Sequence, residues 1–345
     1  MPHLQLLVSG RECYVRRALI STVLGVGKSY CKWPVVCRVA VAVLGFALLA
    51  AAPASATFAG RNGRLALAWY DNDEGAHDEA FWGIVTVPGD RPTIHPAYLA
   101  SCTNLNITCP DYSDPAYSPD GKRIVFVKDS ELILADANGS DRRGLTAAVD
   151  NGSAPSFAPS GQRLLFVSAS AGIVTSDLSG NHIRAVTPAS GDHPVWSPGG
   201  GRILFDHGNA IWTVRTGGEN PQLLIPNASL PDWSPNGRAI VYICGRLATL
   251  CVARPNGTHR RRIYGTYPDS GVPYPPKGRG PLKNVDEAVW SPDGTQIGFA
   301  TTGYDGNSDP YIMRVPAQGG RVHVLWGAQT DTGGTDQGLA WQPLR

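Results

Sequence analysis

The chain has 345 residues, of which 17% are charged and 42% apolar, and its formal net charge is only +2. That balance supplies a packed core, excludes wholesale disorder, and speaks against a nucleic-acid binder that depends on phosphate contacts. With 40 glycines and 28 prolines, the chain suits many short strands joined by tight turns and fits long helices poorly.

The first element in chain order is a leader. Residues 39–52 (VAVAVLGFALLAAA) are an apolar run preceded by Lys32 and Arg38 and followed by Ala54-Ser55-Ala56, a small-x-small pattern. This is the three-part layout of a secretory signal. The run is shorter than the about 20 apolar residues that span a bilayer. Cleavage after Ala56 is therefore expected, with a leader at 1–56, a mature domain at 57–345 and no stable membrane span afterwards. The stretch before Lys32 is long for a leader, so a downstream start is the alternative. Cleavage would remove Arg11, Arg16, Arg17, Lys28, Lys32 and Arg38 against one acid, Glu12, and leave an acidic chain. It would also remove Cys13, Cys31 and Cys37. In an exported chain the remaining pairs, Cys102/Cys109 and Cys244/Cys251, read first as disulfides. A four-Cys zinc site is the rival, although neither pair has the C-x₂₋₄-C spacing. Cys244 ends one predicted strand and Cys251 sits in the next, which would set them opposite one another across a hairpin.

After the leader a repeat takes over. Its copies read DPAYSPDGKRIVFV from Asp114, APSFAPSGQRLLFV from Ala154, HPVWSPGGGRILFD from His193, LPDWSPNGRAIVYI from Leu230 and EAVWSPDGTQIGFA from Glu287, with a truncated GLAWQPLR from Gly338. A supersecondary unit recurring at this interval indicates a solenoid or a propeller. Each unit holds an aromatic strand, a Pro-Asp-Gly-type turn, an alternating strand such as Arg123–Val127, a third strand and an Asn-Gly turn to a fourth. Asn-Gly and Asp-Gly favour hairpins because both residues tolerate positive φ. Four antiparallel strands per unit make a propeller blade. The prediction is all-β: a six-bladed β-propeller. Gly63–Trp69 resembles a second strand that lacks a first, and Leu339–Pro343 a first strand without successors. Pairing them would close the ring in one blade and remove an exposed edge.

The pattern P-x-[WYF]-S-P-[DNG]-G-x-x-[IL]-x-[FY] resembles the WD40-like (PD40) repeat of TolB-type six-bladed propellers, over residues 58–345. The resemblance implies a scaffold that binds a protein or peptide. Only Thr57–Arg61 separate the expected cleavage site from the first strand, so a stand-alone propeller is expected, without the α/β domain that precedes it in TolB-type proteins and without the partner exchange of that domain. No G-x-S-x-G nucleophile elbow is present.

In that family's geometry the first strand of each blade lies at the channel. The loops leading into these strands should share one mouth with the hairpins between second and third strands. They carry Asp114, Asp192, His193, Asp286, Glu287 and Asp336, a rim suited to a cation or a basic peptide segment; the competing reading is that these residues cap turns. The Ser-Pro-Asp-Gly turns belong at the opposite end and read as structural, and Tyr117, Phe157, Trp196, Trp233, Trp290 and Trp341 read as inter-blade packing. The acidic segments Asp71–Glu79 and Tyr304–Asp309 lack the spacing of a calcium loop. His77, His193 and His207 lack the H-x-x-x-H spacing of a metal site. An insertion, Tyr264 to Val285, is basic and aromatic and suggests a flap over one sector of the channel. The expectation is an exported, monomeric, non-enzymatic bacterial propeller of the periplasm, cell envelope or medium. It would bind a protein or peptide partner of the envelope through its channel face, without cofactor or nucleic acid. The alternatives are a metal-assisted lyase or lactonase with a divalent cation in the channel, or a carbohydrate or cell-wall binder.

Overall fold

The computed structural model describes residues 7–8, 11–12, 57–71, 81–93, 95–103, 109–149, 154–187, 191–267, 278–301, 311–327 and 338–345. The chain divides into two compact units, Met1–Leu49 and Ala50–Arg345. In the first, Leu7–Val8 pairs antiparallel with Arg11–Glu12. The apolar run of the leader and its cleavage pattern lie outside the described residues.

The second unit is a propeller of six four-stranded antiparallel blades, and none of the described residues is helical. In the second blade the strands are Tyr112–Tyr117, Arg123–Lys128, Glu131–Asp136 and Arg143–Ala148. Ile124 to Val127 are all buried, because a blade is covered by a neighbour on each face and needs apolar side chains on both. The third blade begins at Ser156–Phe157, the fourth at Asp192–Trp196, the fifth at Ala228–Trp233 and the sixth at Val285–Trp290. The recurrent aromatics are buried as expected: Tyr117, Phe157, Trp196, Trp233, Trp290 and Trp341 all lie in apolar clusters.

The first blade closes the ring. Its inner strand is the C-terminal Leu339–Leu344, paired antiparallel with Arg61–Asp71 in a register that sets Trp341 opposite Leu65. Gln342 Nε2 also donates to Gly121 O of the second blade at 2.9 Å. Both disulfides are formed, Cys102–Cys109 and Cys244–Cys251. The second pair is not directly opposed: Cys244 faces Thr249, Cys251 faces Tyr242, and the bridge runs diagonally across the hairpin between Cα atoms 5.9 Å apart.

The turns of the second, fifth and sixth blades carry one hydrogen-bond pattern. Ser118 Oγ donates to Asp120 Oδ1 at 2.6 Å and accepts from Arg123 N–H at 2.9 Å. Lys122 N–H donates to the same carboxylate, and Gly121 N–H to Ser118 O. Ser234 with Asn236 and Ser291 with Asp293 repeat it. Gly121, Gly200, Gly237 and Gly294 take φ between 66° and 71°, a region where only glycine is unstrained.

The insertion does not cover the channel where it is described. Tyr264–Tyr267 pairs with Gly278–Pro281 and, in parallel, with Gly320–Arg321 ahead of the outermost strand of the sixth blade. Leu282 O accepts from Leu250 N–H, and Leu282 N–H donates to Ile263 O. A basic segment with free backbone groups meets an open strand edge here, and edge pairing outweighs attraction to a distant acidic rim. Residues 268–277 lie outside the described residues.

Candidate functional site at the channel mouth

In four of the blades the first strand carries a bulge where it enters the channel. In the second, fourth and fifth blades the pairing register slips between Ser113 and Ala116, Asp192 and Val195, and Ser229 and Asp232. The cause is in the sequence: Pro115, Pro194 and Pro231 have no N–H to give to the ladder. The residue before each proline is thrown into left-handed conformation, Asp114 at φ 52°, His193 at 48° and Leu230 at 51°, with Ala154 at 41° in the third blade. Non-glycine residues in that region cost of order 1–3 kcal/mol each, and such strain persists where it positions a side chain. Gly338 holds the equivalent place in the closing blade at φ 112°. The sixth blade has Ala288 in place of proline. Its bulge falls one step earlier, between Val285 and Glu287, and Glu287 stays paired with Ala300.

This ring of six positions (Asp114, Ala154, His193, Leu230, Glu287, Gly338) lines a channel cavity of about 120 Å³. A second cavity of about 310 Å³, bordered by His193, Asp206, Ser229, Asp286 and Glu287, shares His193 and Glu287 with it. The predicted rim is thus brought together at Asp114, His193, Asp286 and Glu287. Asp192 is exposed at the start of its strand and lines neither cavity. Asp336 lies outside the described residues.

Two acids at the channel were not predicted. Asp206 ends the second strand of the fourth blade and receives His193 Nδ1 at 3.1 Å and Leu230 N–H at 3.2 Å. Asp232 lies deeper. It accepts the Thr57 hydroxyl at 2.7 Å and Trp290 N–H at 2.8 Å. Both are exceptions in repeat columns. Asp206 stands where the other blades have Ala68, Val127, Val167, Ile243 and Ala300, and Asp232 where they have Ala116, Ser156, Val195, Val289 and Ala340. A column-by-column comparison of the repeats carries that signal.

The electrostatics follow from geometry. Burial disfavours charge on His193, but the hydrogen bond and charge of Asp206, with Glu287 and Asp114, outweigh it and bring its pKa up to about 9. His193 is an imidazolium at neutral pH, with Nδ1–H on Asp206 and a buried Nε2 that has no hydrogen-bond partner in the protein. Desolvation pushes Glu287 up to about 7, against His193 and the N–H groups of Gly338 and Leu339, which favour its charge, while Asp114 adds to the rise. Burial likewise brings Asp232 up to about 7, against the donors Trp290, Thr57 and Trp233. Asp114 is 3% exposed and accepts Ser113 Oγ at 2.8 Å. The mouth therefore sets several carboxyls against one fixed cation.

Of the three histidines considered, His207 is exposed and stacks edge-on against Trp212, while His77 lies outside the described residues. So do the acidic segment after Asp71 and the whole of Tyr304–Asp309. Among the described residues no group of three or more His, Cys, Asp or Glu is arranged to hold a metal ion.

No family model and no curated protein matches the sequence. Solved structures do match the fold. TolB from Acinetobacter baumannii is 20% identical, with a TM-score of 0.61 over 81% of this chain and 67% of that one. A chain of a nidogen/laminin complex is 12% identical with a TM-score of 0.54 over 81% and 98%. A putative TolB from Agrobacterium tumefaciens is 15% identical with a TM-score of 0.51 over 82% and 100%. The architecture is that of a TolB-like six-bladed propeller.

Proposed function

We propose that the protein is an exported, non-enzymatic propeller that captures a segment of a protein or peptide partner at the channel mouth. The observation that carries this reading is the cavity where Asp114, Asp206, Asp286 and Glu287 face a single cation, His193. Such a site favours a basic side chain or a free amino terminus on the partner, since a cation offsets mutual repulsion among the acids. The two disulfides suit an oxidising compartment, in keeping with the leader. Four strained backbone positions aimed into one cavity also fit a binding role better than a purely structural one.

The test is crosslinking in the cell envelope from a photoreactive residue at Ser229, at the mouth, and separately at Asn236, on the opposite end. Crosslinks to a discrete partner from Ser229 alone, fading with added salt and with Asp286→Asn, are expected. Equal crosslinking from Asn236, or none from Ser229, would overturn the assignment.

A further inference from the structure

Deep in the channel, a buried carboxylate receives only neutral donors among the described residues. Asp232 is 8% exposed, and the groups that reach it are the Thr57 hydroxyl and the N–H groups of Trp290 and Trp233. A carboxylate in such a place is costly without a cation. The matching residues of the other blades, Ala116, Ser156, Val195, Val289 and Ala340, show that the fold does not need an acid there.

The segment beside Asp232 is the start of the propeller chain. Thr57 is 3% and Phe58 4% exposed. Phe58 packs with Val125, Phe157, Leu164 and Phe166 of the second and third blades. Gly60 N–H then donates to Pro292 O, and Asn62 Nδ2 to Asp293 Oδ2, which fastens the segment to the turn end of the sixth blade. Thr57 and Phe58 thus line the channel cavity, whereas Ala59 is exposed. Thr57 borders the same cavity as Asp232, Asp114 and Glu287. The backbone nitrogen of Thr57 is three bonds from an Oγ1 that already touches Asp232 at 2.7 Å, which puts it within the about 4–6 Å over which opposite charges stabilise one another.

We propose that Thr57 is the amino terminus of the working protein and that its α-ammonium is the buried counter-ion of Asp232. Removal of the leader, before the segment is buried in the channel, creates this cation. A signal peptidase adds water across the Ala56–Thr57 amide. Ala56 leaves as a carboxylate, and the Thr57 nitrogen keeps its bond to Cα and takes up protons to become an ammonium. Before cleavage that nitrogen is a neutral amide. Afterwards it carries the charge that Asp232 lacks, and the first residue is held in the channel. The inference rests on the leader reading and is independent of what the mouth binds.

The test uses protein exported with its own leader. Mass spectrometry should find Thr57 as the first residue; another start overturns the proposal. The N-terminal peptide should acylate at pH 7 about tenfold more slowly in the native protein than after denaturation, because each unit of raised amine pKa removes tenfold of the free base. Equal rates overturn it. A chain whose cleavable tag leaves one extra glycine before Thr57 should melt at a lower temperature, and Asp232→Asn should abolish the difference while Thr57→Val preserves it. An unchanged melting temperature with the extra glycine overturns the proposal. Should Asp232→Asn not fold, acylation and the glycine comparison still decide.

Discussion

The two ends of the blades' first strands obey opposite rules. At the turn end, sequence and hydrogen bonding repeat together: Ser118, Ser197, Ser234 and Ser291 each receive a backbone N–H five residues on. At the mouth end the backbone repeats but the side chains do not. Left-handed residues recur before Pro115, Pro155, Pro194 and Pro231, yet they are Asp, Ala, His and Leu. Where the turn needs a serine, four of the blades supply it. Where six blades only provide positions around one cavity, each position is free to carry different chemistry.

The largest test of the comparison removes the element that spans both ends. Deleting residues 339–345 takes away the inner strand of the closing blade, with the buried Trp341 and its packing on Leu65, Val85 and Val87. Burial of a large aromatic alone is worth about 3–5 kcal/mol, so the loss should exceed about 5 kcal/mol. A thermal melt should show collapse of the folded state. A retained transition at the wild-type temperature would refute closure.

The mouth should make stability fall as the pH rises. Glu287 is raised from 4.5 to about 7 and His193 from 6.5 to about 9. A group whose folded pKa is raised binds protons more tightly in the folded state. Its contribution is complete below the unfolded value and is lost as the pH rises through the folded value. The melting temperature should therefore decline from about pH 4.5 to 9. Glu287→Gln keeps an acceptor for the Gly338 and Leu339 N–H groups and should flatten the decline between pH 4.5 and 7. After discounting for its partial access to the cavity, that part is on the order of 2 kcal/mol. Melting curves of the two proteins at matched pH check this, and parallel curves would place the titration elsewhere.

The turn end gives the smallest effect. Ser118→Ala, Ser234→Ala and Ser291→Ala should each cost about 1 kcal/mol for lost hydrogen bonds, and the costs should add, because the sites are far apart. The third blade already has Ala158 at this place, where Gly161 N–H still donates to the backbone oxygen. Ala158→Ser should therefore be neutral or stabilising by at most about 1 kcal/mol. Denaturant titrations check this, and a large penalty for Ala158→Ser would show that the blades are not equivalent.

Much of this was legible before any coordinates. The SPDG turns, the six aromatics and the terminal half-blades are local signals with strict spacing, and they located the blades, the closing strand and the mouth. Asp114, His193 and Glu287 could be placed at the channel because each begins a repeat. Asp192 was misjudged because an adjacent residue in a strand points elsewhere: the bulge turns His193 inward and leaves Asp192 exposed. The pairing of the insertion's described ends was not legible, because composition reports charge and not the strand edge at Gly320–Arg321 to which Tyr264–Tyr267 pairs.

By itself, then, the sequence determined the repeat, the all-β architecture and the residues that enter the channel, since these depend on turn chemistry and on a two-residue strand period. Only the tertiary structure decided which charged groups meet. His193 and Asp206 are on facing strands of one blade, whereas Glu287 reaches them from another. Thr57 meets Asp232 across 175 positions. Ring closure converts residues remote in sequence into neighbours around one cavity, and their pKa values and pairing depend on that proximity and burial.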